Sequence, residues 1–138
     1  MIEVKNLRKS FDGVEVLKGI NTTFETGKVN LIIGQSGSGK TVFLKSLLNV
    51  FEPNEGHILF DGRDIVGMGR AEKEALRSEI GTVFQGSALF DSMTVQDNIM
   101  FPLDMFTNLT FTEKKKRVKE VIGRVHLENA EKNFPSEI

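Results

Sequence analysis

The sequence predicts an α/β fold, and two neighbouring features of its first half carry that prediction. A nearly continuous apolar run, "VNLII" at 29–33, has the pattern of a buried strand. After a glycine-rich turn at 34–41, apolar residues recur at helical spacing in "VFLKSLLNVF" (42–51). A strand, a tight turn and a helix in direct succession are typical of domains that pack helices against a sheet.

Four further segments predict strands or strand-to-turn transitions. "IEVKNL" (2–7) alternates apolar and polar residues, as a half-buried strand does, and "VLKGINTTF" (16–24) is rich in β-branched and aromatic residues. "HILFDG" (57–62) predicts a short strand that runs into an Asp-Gly turn. "IGTVF" (80–84) predicts another short strand.

Three segments beyond the first helix predict helices. We expect the first helix to end at "EPNEG" (52–56), because a proline disfavours helix at the residue before it. The segment 70–80 is rich in helix formers. The segment 94–103 opens on Thr94 as an N-cap and is expected to stop at Pro102.

The last predicted helix, 112–127, is amphipathic, with Thr112 as its expected N-cap. Its charge run "EKKKR" (113–117) predicts a solvated face, with a nucleic-acid patch as the weaker alternative. Its apolar stripe consists of Val118, Val121, Ile122 and Val125.

Composition excludes several classes of function. The 138 residues are 39% hydrophobic and 27% charged, which is typical of soluble globular domains. A net charge of −1 gives no reason to expect a nucleic-acid partner or an anionic membrane surface. The absence of cysteine excludes disulfides and thiolate metal sites, and two histidines offer little for metal binding.

The glycine-rich turn carries the clearest chemistry, because it matches G-x-x-x-x-G-K-[ST] in full. Glycines allow the loop to wrap an anion with backbone N–H groups pointing inward, and the following helix adds its unpaired N–H groups and its dipole. Lys40 would reach the phosphates of a nucleotide, and the Thr41 hydroxyl would ligate Mg²⁺. The predicted phosphate-binding residues are Gly34, Gln35, Ser36, Gly37, Ser38, Gly39, Lys40 and Thr41.

Taken in order, these motifs resemble the ATP-binding subunit of ABC transporters over all 138 residues. The segments that carry the resemblance are 4–41, "GHILFDGRDI" (56–65) and "IGTVFQGSALFDSMTVQDNIMFPL" (80–103). Within that family, "FQGSALFDSMTV" and the closing "FPSEI" look most like subunits that energise phospholipid-trafficking transporters, those that maintain lipid asymmetry.

The resemblance implies further site residues. Phe11 matches the aromatic residue that stacks on adenine, with a core phenylalanine as the alternative, and Val16 matches an apolar residue that closes over the same base. Gln85 matches the glutamine that contacts Mg²⁺ and the attacking water. Val42 follows the magnesium-binding threonine, where relatives usually have a second hydroxyl, so one side-chain contact to phosphate is expected to be lost.

The resemblance also implies a fold, cofactors and partners. The fold is that of a phosphate-loop NTPase, an ABC nucleotide-binding domain with an antiparallel β subdomain, and 86–138 would enter its helical subdomain. ATP and Mg²⁺ would be bound by a subunit that pairs with a second copy of itself and with an integral membrane permease. It would lie on the cytoplasmic face of the cell membrane and contact no nucleic acid.

The carboxylate that organises Mg²⁺ and the general base for ATP hydrolysis are expected downstream of residue 138. In the family, Ile138 falls on the opening residue of the signature motif, so we expect 1–138 to be the N-terminal part of one such domain and inactive alone. Asp61 ends an apolar run but is followed by glycine and fits a turn better than a magnesium site, and Asp91 follows too short a strand within the segment 80–103. The competing hypotheses are a non-transport ABC protein, a non-catalytic regulatory module and a small phosphate-loop kinase.

Overall fold

The computed structural model describes residues 1–84, 86 and 88–138, which form two compact units, Met1–Thr82 and Val83–Ile138. The first contains β1 (Ile2–Phe11), β2 (Val14–Phe24), α1 (Lys40–Leu47), β3 (Glu55–Phe60), β4 (Arg63–Asp64) and α2 (Arg70–Ser78). The second contains α3 (Val95–Phe106), α4 (Phe111–Arg124) and a 3₁₀ turn (Pro135–Glu137). In the described part of the chain, no helix is long and apolar enough to cross a membrane.

A four-stranded antiparallel sheet in the order β2-β1-β3-β4 forms the frame of the first unit. The predicted strands at 2–7 and 16–24 are confirmed as β1 and β2, and 57–62 as the end of β3 with its turn. The turn residues Asp61 and Gly62 both have positive φ, 46° and 79°, which an Asp-Gly pair tolerates. Asp61 binds the N-terminal ammonium of Met1, and this hydrogen bond lowers the pKa of its carboxyl.

The core of the first unit lies between this sheet and the two helices α1 and α2. Ile58 and Leu7 are completely buried, and Phe43 and Leu47 from α1 pack into the same cluster. The apolar pattern predicted a helix as far as residue 51, but α1 is shorter. It ends at Leu47 because Asn49 has a positive φ of 50° and turns its side-chain amide to the Ile65 carbonyl.

Two predicted strands are absent. The side chains of Val29, Leu31 and Ile33 are 101%, 83% and 81% exposed, and the described residues provide the 29–33 backbone with no strand partner. The segment 80–84 is likewise not a strand, and Val83 is 99% exposed. A buried strand needs hydrogen-bonded neighbours and apolar cover, which sequence pattern alone does not supply.

The second unit is built on the pairing of α3 with α4. Val95 and Met100 of α3 pack against Val118 and Ile122 of α4, which confirms part of the predicted apolar stripe. Val125 of that stripe is 58% exposed, because it lies just beyond the end of α4.

The helix boundaries in this unit differ from the predicted ones. Thr94 caps α3 as expected, but α3 continues through Pro102 to Phe106. Proline removes one backbone donor, and Pro102 lies on the exposed side, where water can satisfy the freed carbonyl. The N-cap of α4 is Thr110 rather than Thr112, since the Thr110 hydroxyl accepts from the backbone N–H of Glu113.

Candidate functional site

The glycine-rich loop at 34–41, called the phosphate loop below, leads from the mostly exposed 29–33 segment into α1, and its glycines set the geometry. Gly37 and Gly39 have φ of 79° and 94°, a region that other residues rarely adopt. A Cβ atom on Gly39 would also lie 3.1 Å from Cγ1 of Val16. Within the turn, the Ser38 N–H donates to the Gln35 carbonyl at 3.2 Å. The loop is therefore a defined backbone turn.

The helix α1 opens on this loop with its first donors free. Its N-cap, Gly39, has no side-chain cap, and no acidic residue stands in the first turn. Within the described part of the chain, the backbone N–H groups of Lys40, Thr41 and Val42 have no acceptor. Unpaired donors at the positive end of a helix dipole make a binding site for an anion.

The lysine of the motif is held at the same place. Its Nζ donates to the carbonyl of Gly34 at 2.8 Å and to the carbonyl of Gln35 at 2.7 Å. Lys40 thereby adds a positive charge to the mouth of the loop, which fits a phosphate group better than any neutral ligand.

The other residues of the predicted motif flank this point. Ser36 and Ser38 are exposed on the loop, and the Thr41 hydroxyl lies on the exposed side of the first helical turn. Val42 is half-buried and packs against the core, so it offers only its backbone N–H to the loop.

Val16 borders the loop through an irregularity in the sheet. Lys9 pairs with Leu17 and Ser10 with Glu15, so Val16 is the extra residue of a bulge on β2. Bulges re-aim a side chain, and here the Val16 side chain lies against Gly39. The structure thus brings Val16 next to the loop, and its predicted contact with the base stays a prediction.

An open cleft of about 470 Å³ lies between β2 and the loop. This volume lies within the range of sites that hold small molecules. The cleft is lined by Val14, Glu15, Val16, Lys18, Ile20, Gly37 and Ser38. Sequence reasoning missed Lys18 and Ile20. They follow Val16 at successive intervals of two residues along the strand, and this alternation was the signal that could have identified them.

Phe11 stands at the end of β1, where it pairs with the cleft residue Val14. It is 36% exposed, so the alternative of a core phenylalanine is wrong. Its ring meets that of Phe51 with centroids 5.2 Å apart.

The metal-binding residues are described only in part. Gln85 lies outside the described residues, so its predicted contact with Mg²⁺ stays a prediction. Among the residues that the structure describes, no group of three or more carboxylate or imidazole side chains could hold a metal ion. The Thr41 hydroxyl fits a Mg²⁺ ion that is bound mainly by substrate phosphates and water.

The fold is that of an α/β protein with an antiparallel sheet and a helix whose first backbone donors are free. A model of the ABC transporter family matches residues 17–137, and the chain belongs to that family.

Relatives and solved structures agree with this assignment. The chain is 41% identical over 137 residues to the probable ribonucleotide transport ATP-binding protein mkl of Mycobacterium leprae, covering 99% of this chain and 40% of the relative. It is 38% identical to the spermidine/putrescine import ATP-binding protein PotA of Nitrosospira multiformis, covering 100% and 36%. The dimeric structure of MJ0796, a bacterial ABC transporter cassette, superposes with a TM-score of 0.87 at 28% identity, covering 100% and 63%.

The predicted fold class, an ABC nucleotide-binding domain with an antiparallel sheet, is thereby confirmed. The chain spans about two fifths of the curated relatives' length.

Proposed function

We propose that this chain forms the nucleotide-binding part of an ATPase subunit that binds ATP with Mg²⁺ and, when complete, hydrolyses ATP to drive a membrane transporter. One observation carries the proposal: α1 presents three free backbone donors and the Lys40 ammonium at one point. A related cassette has been solved in a post-hydrolysis state bound to ADP and Pi, at 27% identity and a TM-score of 0.84.

The residues around the loop take separate roles. Lys40 and the first amides of α1 hold the phosphate oxygens, while Phe11 and Val16 bind the adenine. Thr41 and Gln85 would hold Mg²⁺, which supplies neutralisation of the phosphate charge. The carboxylate and the base for hydrolysis are assigned to the remainder of the subunit.

We infer two partners for the complete subunit, a second copy of the ATPase and an integral membrane permease, at the cytoplasmic face of the cell membrane. The dimeric MJ0796 cassette and the transport and import names of the relatives support this. The division of the chain at residue 82 supports the assignment of 86–138 to the helical subdomain of the same domain.

Lipids are the proposed class of transported molecule. The support is the resemblance of "FQGSALFDSMTV" and "FPSEI" to lipid-handling subunits, whereas the relatives' names refer to ribonucleotides and polyamines. Reconstitution with the permease distinguishes these classes. ATP-dependent movement of a fluorescent phospholipid, without uptake of spermidine or a ribonucleotide, is the expected result, and the reverse pattern contradicts it.

Lys40→Ala in the complete subunit tests the role of the loop. We expect ATP turnover to fall about a hundredfold or more, because the charge that stabilises the phosphates is removed. Phosphate release is the measurement, and Lys28→Ala, an exposed lysine on a turn, is the matched control. If Lys40→Ala releases phosphate as fast as the parent does, the proposal is contradicted.

A further inference from the structure

Two aromatic rings meet at the end of β1, although they are 40 positions apart in the sequence. Phe11 is the last residue of β1, and Phe51 lies four residues beyond the end of α1. Their centroids are 5.2 Å apart and their planes meet at 74°, an edge contact that aromatic pairs prefer. The contact fixes the Phe11 ring from one side.

Two lysines surround the pair. The Lys9 ammonium lies 5.1 Å from the centroid of Phe11, and the Lys45 ammonium lies 5.3 Å from the centroid of Phe51. Both distances fall within the range of a cation–π contact. Each ring is therefore held by a cation as well as by the other ring.

The backbone fixes the position of Phe51 independently of its ring. Its N–H donates to the carbonyl of Lys45 at 3.2 Å. Three residues later, the Asn54 N–H donates to the Arg8 carbonyl at 2.9 Å, and the Asn54 side chain accepts from the Ser10 N–H at 2.8 Å. The segment between α1 and β3 is thus fastened to α1 at one end and to β1 at the other.

We propose that Phe51 is a positioning residue for the nucleotide base, acting through Phe11. This rests on the proposed function, in which Phe11 stacks on adenine. An aromatic residue beside a hairpin turn loses side-chain entropy when it stacks, and a ring already held by Phe51 has lost that entropy before the base arrives. Phe51 then contributes to binding of the base and nothing to binding of the phosphates.

The helix α1 joins the two halves of the site. Its first turn carries Lys40 at the phosphate loop, and its last turn carries Lys45. The Lys45 ammonium lies over the Phe51 ring, and the Lys45 carbonyl accepts a hydrogen bond from the Phe51 N–H. A single rigid element therefore sets the distance between the phosphate loop and the support of Phe11.

Equilibrium binding of ATP and of inorganic tripolyphosphate to the complete subunit, both with Mg²⁺, tests the proposal. We expect Phe51→Ala to weaken ATP binding about threefold to tenfold and to leave tripolyphosphate binding unchanged. Phe51→Tyr keeps the ring and should bind ATP as the parent does. Val50→Ala, which removes an exposed apolar side chain beside Phe51, is the matched control.

A double-mutant cycle decides whether Phe51 acts through Phe11. The Phe11→Ala, Phe51→Ala double variant should bind ATP no more weakly than Phe11→Ala alone. If Phe11→Ala weakens ATP binding and Phe51→Ala does not, the inference is overturned and the proposed function stays intact. An equal loss for both ligands also overturns it, since Phe51 would then act on the phosphate loop. Unchanged ATP binding by Phe11→Ala removes the stacking role itself, and the inference with it.

Discussion

The N-terminus of α1 differs from those of α3 and α4 in the groups that meet the first backbone donors. Thr94 of α3 and Thr110 of α4 cap their helices, and their N3 residues, Asp97 and Glu113, return the contact as carboxylates. The N-cap of α1 is Gly39, and its N3 residue is Val42. The helix α2 also has a glycine cap, but Glu72 stands at its N3 position.

The comparison shows that α1 lacks what the other helices use for their own stability. A carboxylate at N3 neutralises the positive end of the helix and occupies a donor. A helix that is to hold an external anion must leave its positive end and its first donors free. Among the described α-helices, only α1 has no acidic residue in its first turn.

The largest effect should come from making α1 resemble α3 and α4. We expect Val42→Glu to weaken ATP binding at least about tenfold, or about 1.4 kcal/mol, because a carboxylate would compete with phosphate for the first donors and repel it. Equilibrium nucleotide binding is the measurement.

Val42→Gln is the matched control, since it has the same length without the charge and carries the same cost of changing a half-buried valine. Equal binding by the Gln and Glu variants would show that the free helix end does not select for an anion.

A smaller effect is expected from removing the cap of α4. Thr110→Ala should destabilise the second unit by about 1 kcal/mol, because the hydroxyl that accepts from the Glu113 N–H is lost. Hydrogen exchange of the α4 amides measures this. Thr112→Ala, at the exposed position that sequence pattern favoured as the cap, should leave exchange unchanged.

The same cap predicts a dependence on pH. Hydrogen bonds from the Thr110 hydroxyl and backbone N–H hold the pKa of Glu113 below its ordinary value. A lowered folded pKa means that the stabilisation is present above the unfolded pKa and is lost as pH falls through the folded value. The protection of the α4 amides, taken relative to their intrinsic exchange rates at each pH, should therefore fall as pH drops through the lowered pKa of Glu113, and Glu113→Gln should flatten that fall. An unchanged acid profile in Glu113→Gln would contradict the capping role.

The smallest effect concerns the departure of Val42 from the family pattern. Val42→Thr should tighten ATP binding about twofold to fivefold by restoring a hydroxyl beside the phosphates, at some cost in core packing. Titration with ATP measures the change. Binding weaker than in the parent would show that the core contact of Val42 matters more than a hydroxyl at that position.

The sequence predicted the turn that leads into α1, the strands β1 and β2, the helix α2 and the cap of α3 correctly, because each depends on residues that are neighbours in the chain. It misjudged the end of α1 at Asn49 and the passage of α3 through Pro102, since a helix boundary depends on tertiary contacts and solvent access as well as on propensity. It also assigned strands at 29–33 and 80–84, where a strand needs a partner that apolar pattern cannot provide.

The local sequence by itself determined the glycine turn at 34–41 and the free helix start that follows it, because the glycines, the lysine and the start of α1 are contiguous and their geometry is local. Only the tertiary structure decided what borders that loop. The bulge that places Val16 on Gly39 and the contact of Phe11 with Phe51 depend on the pairing of β1 with β2 and on the loop after α1. Such contacts join residues far apart in the chain, and the free energy that selects them comes from packing the whole first unit.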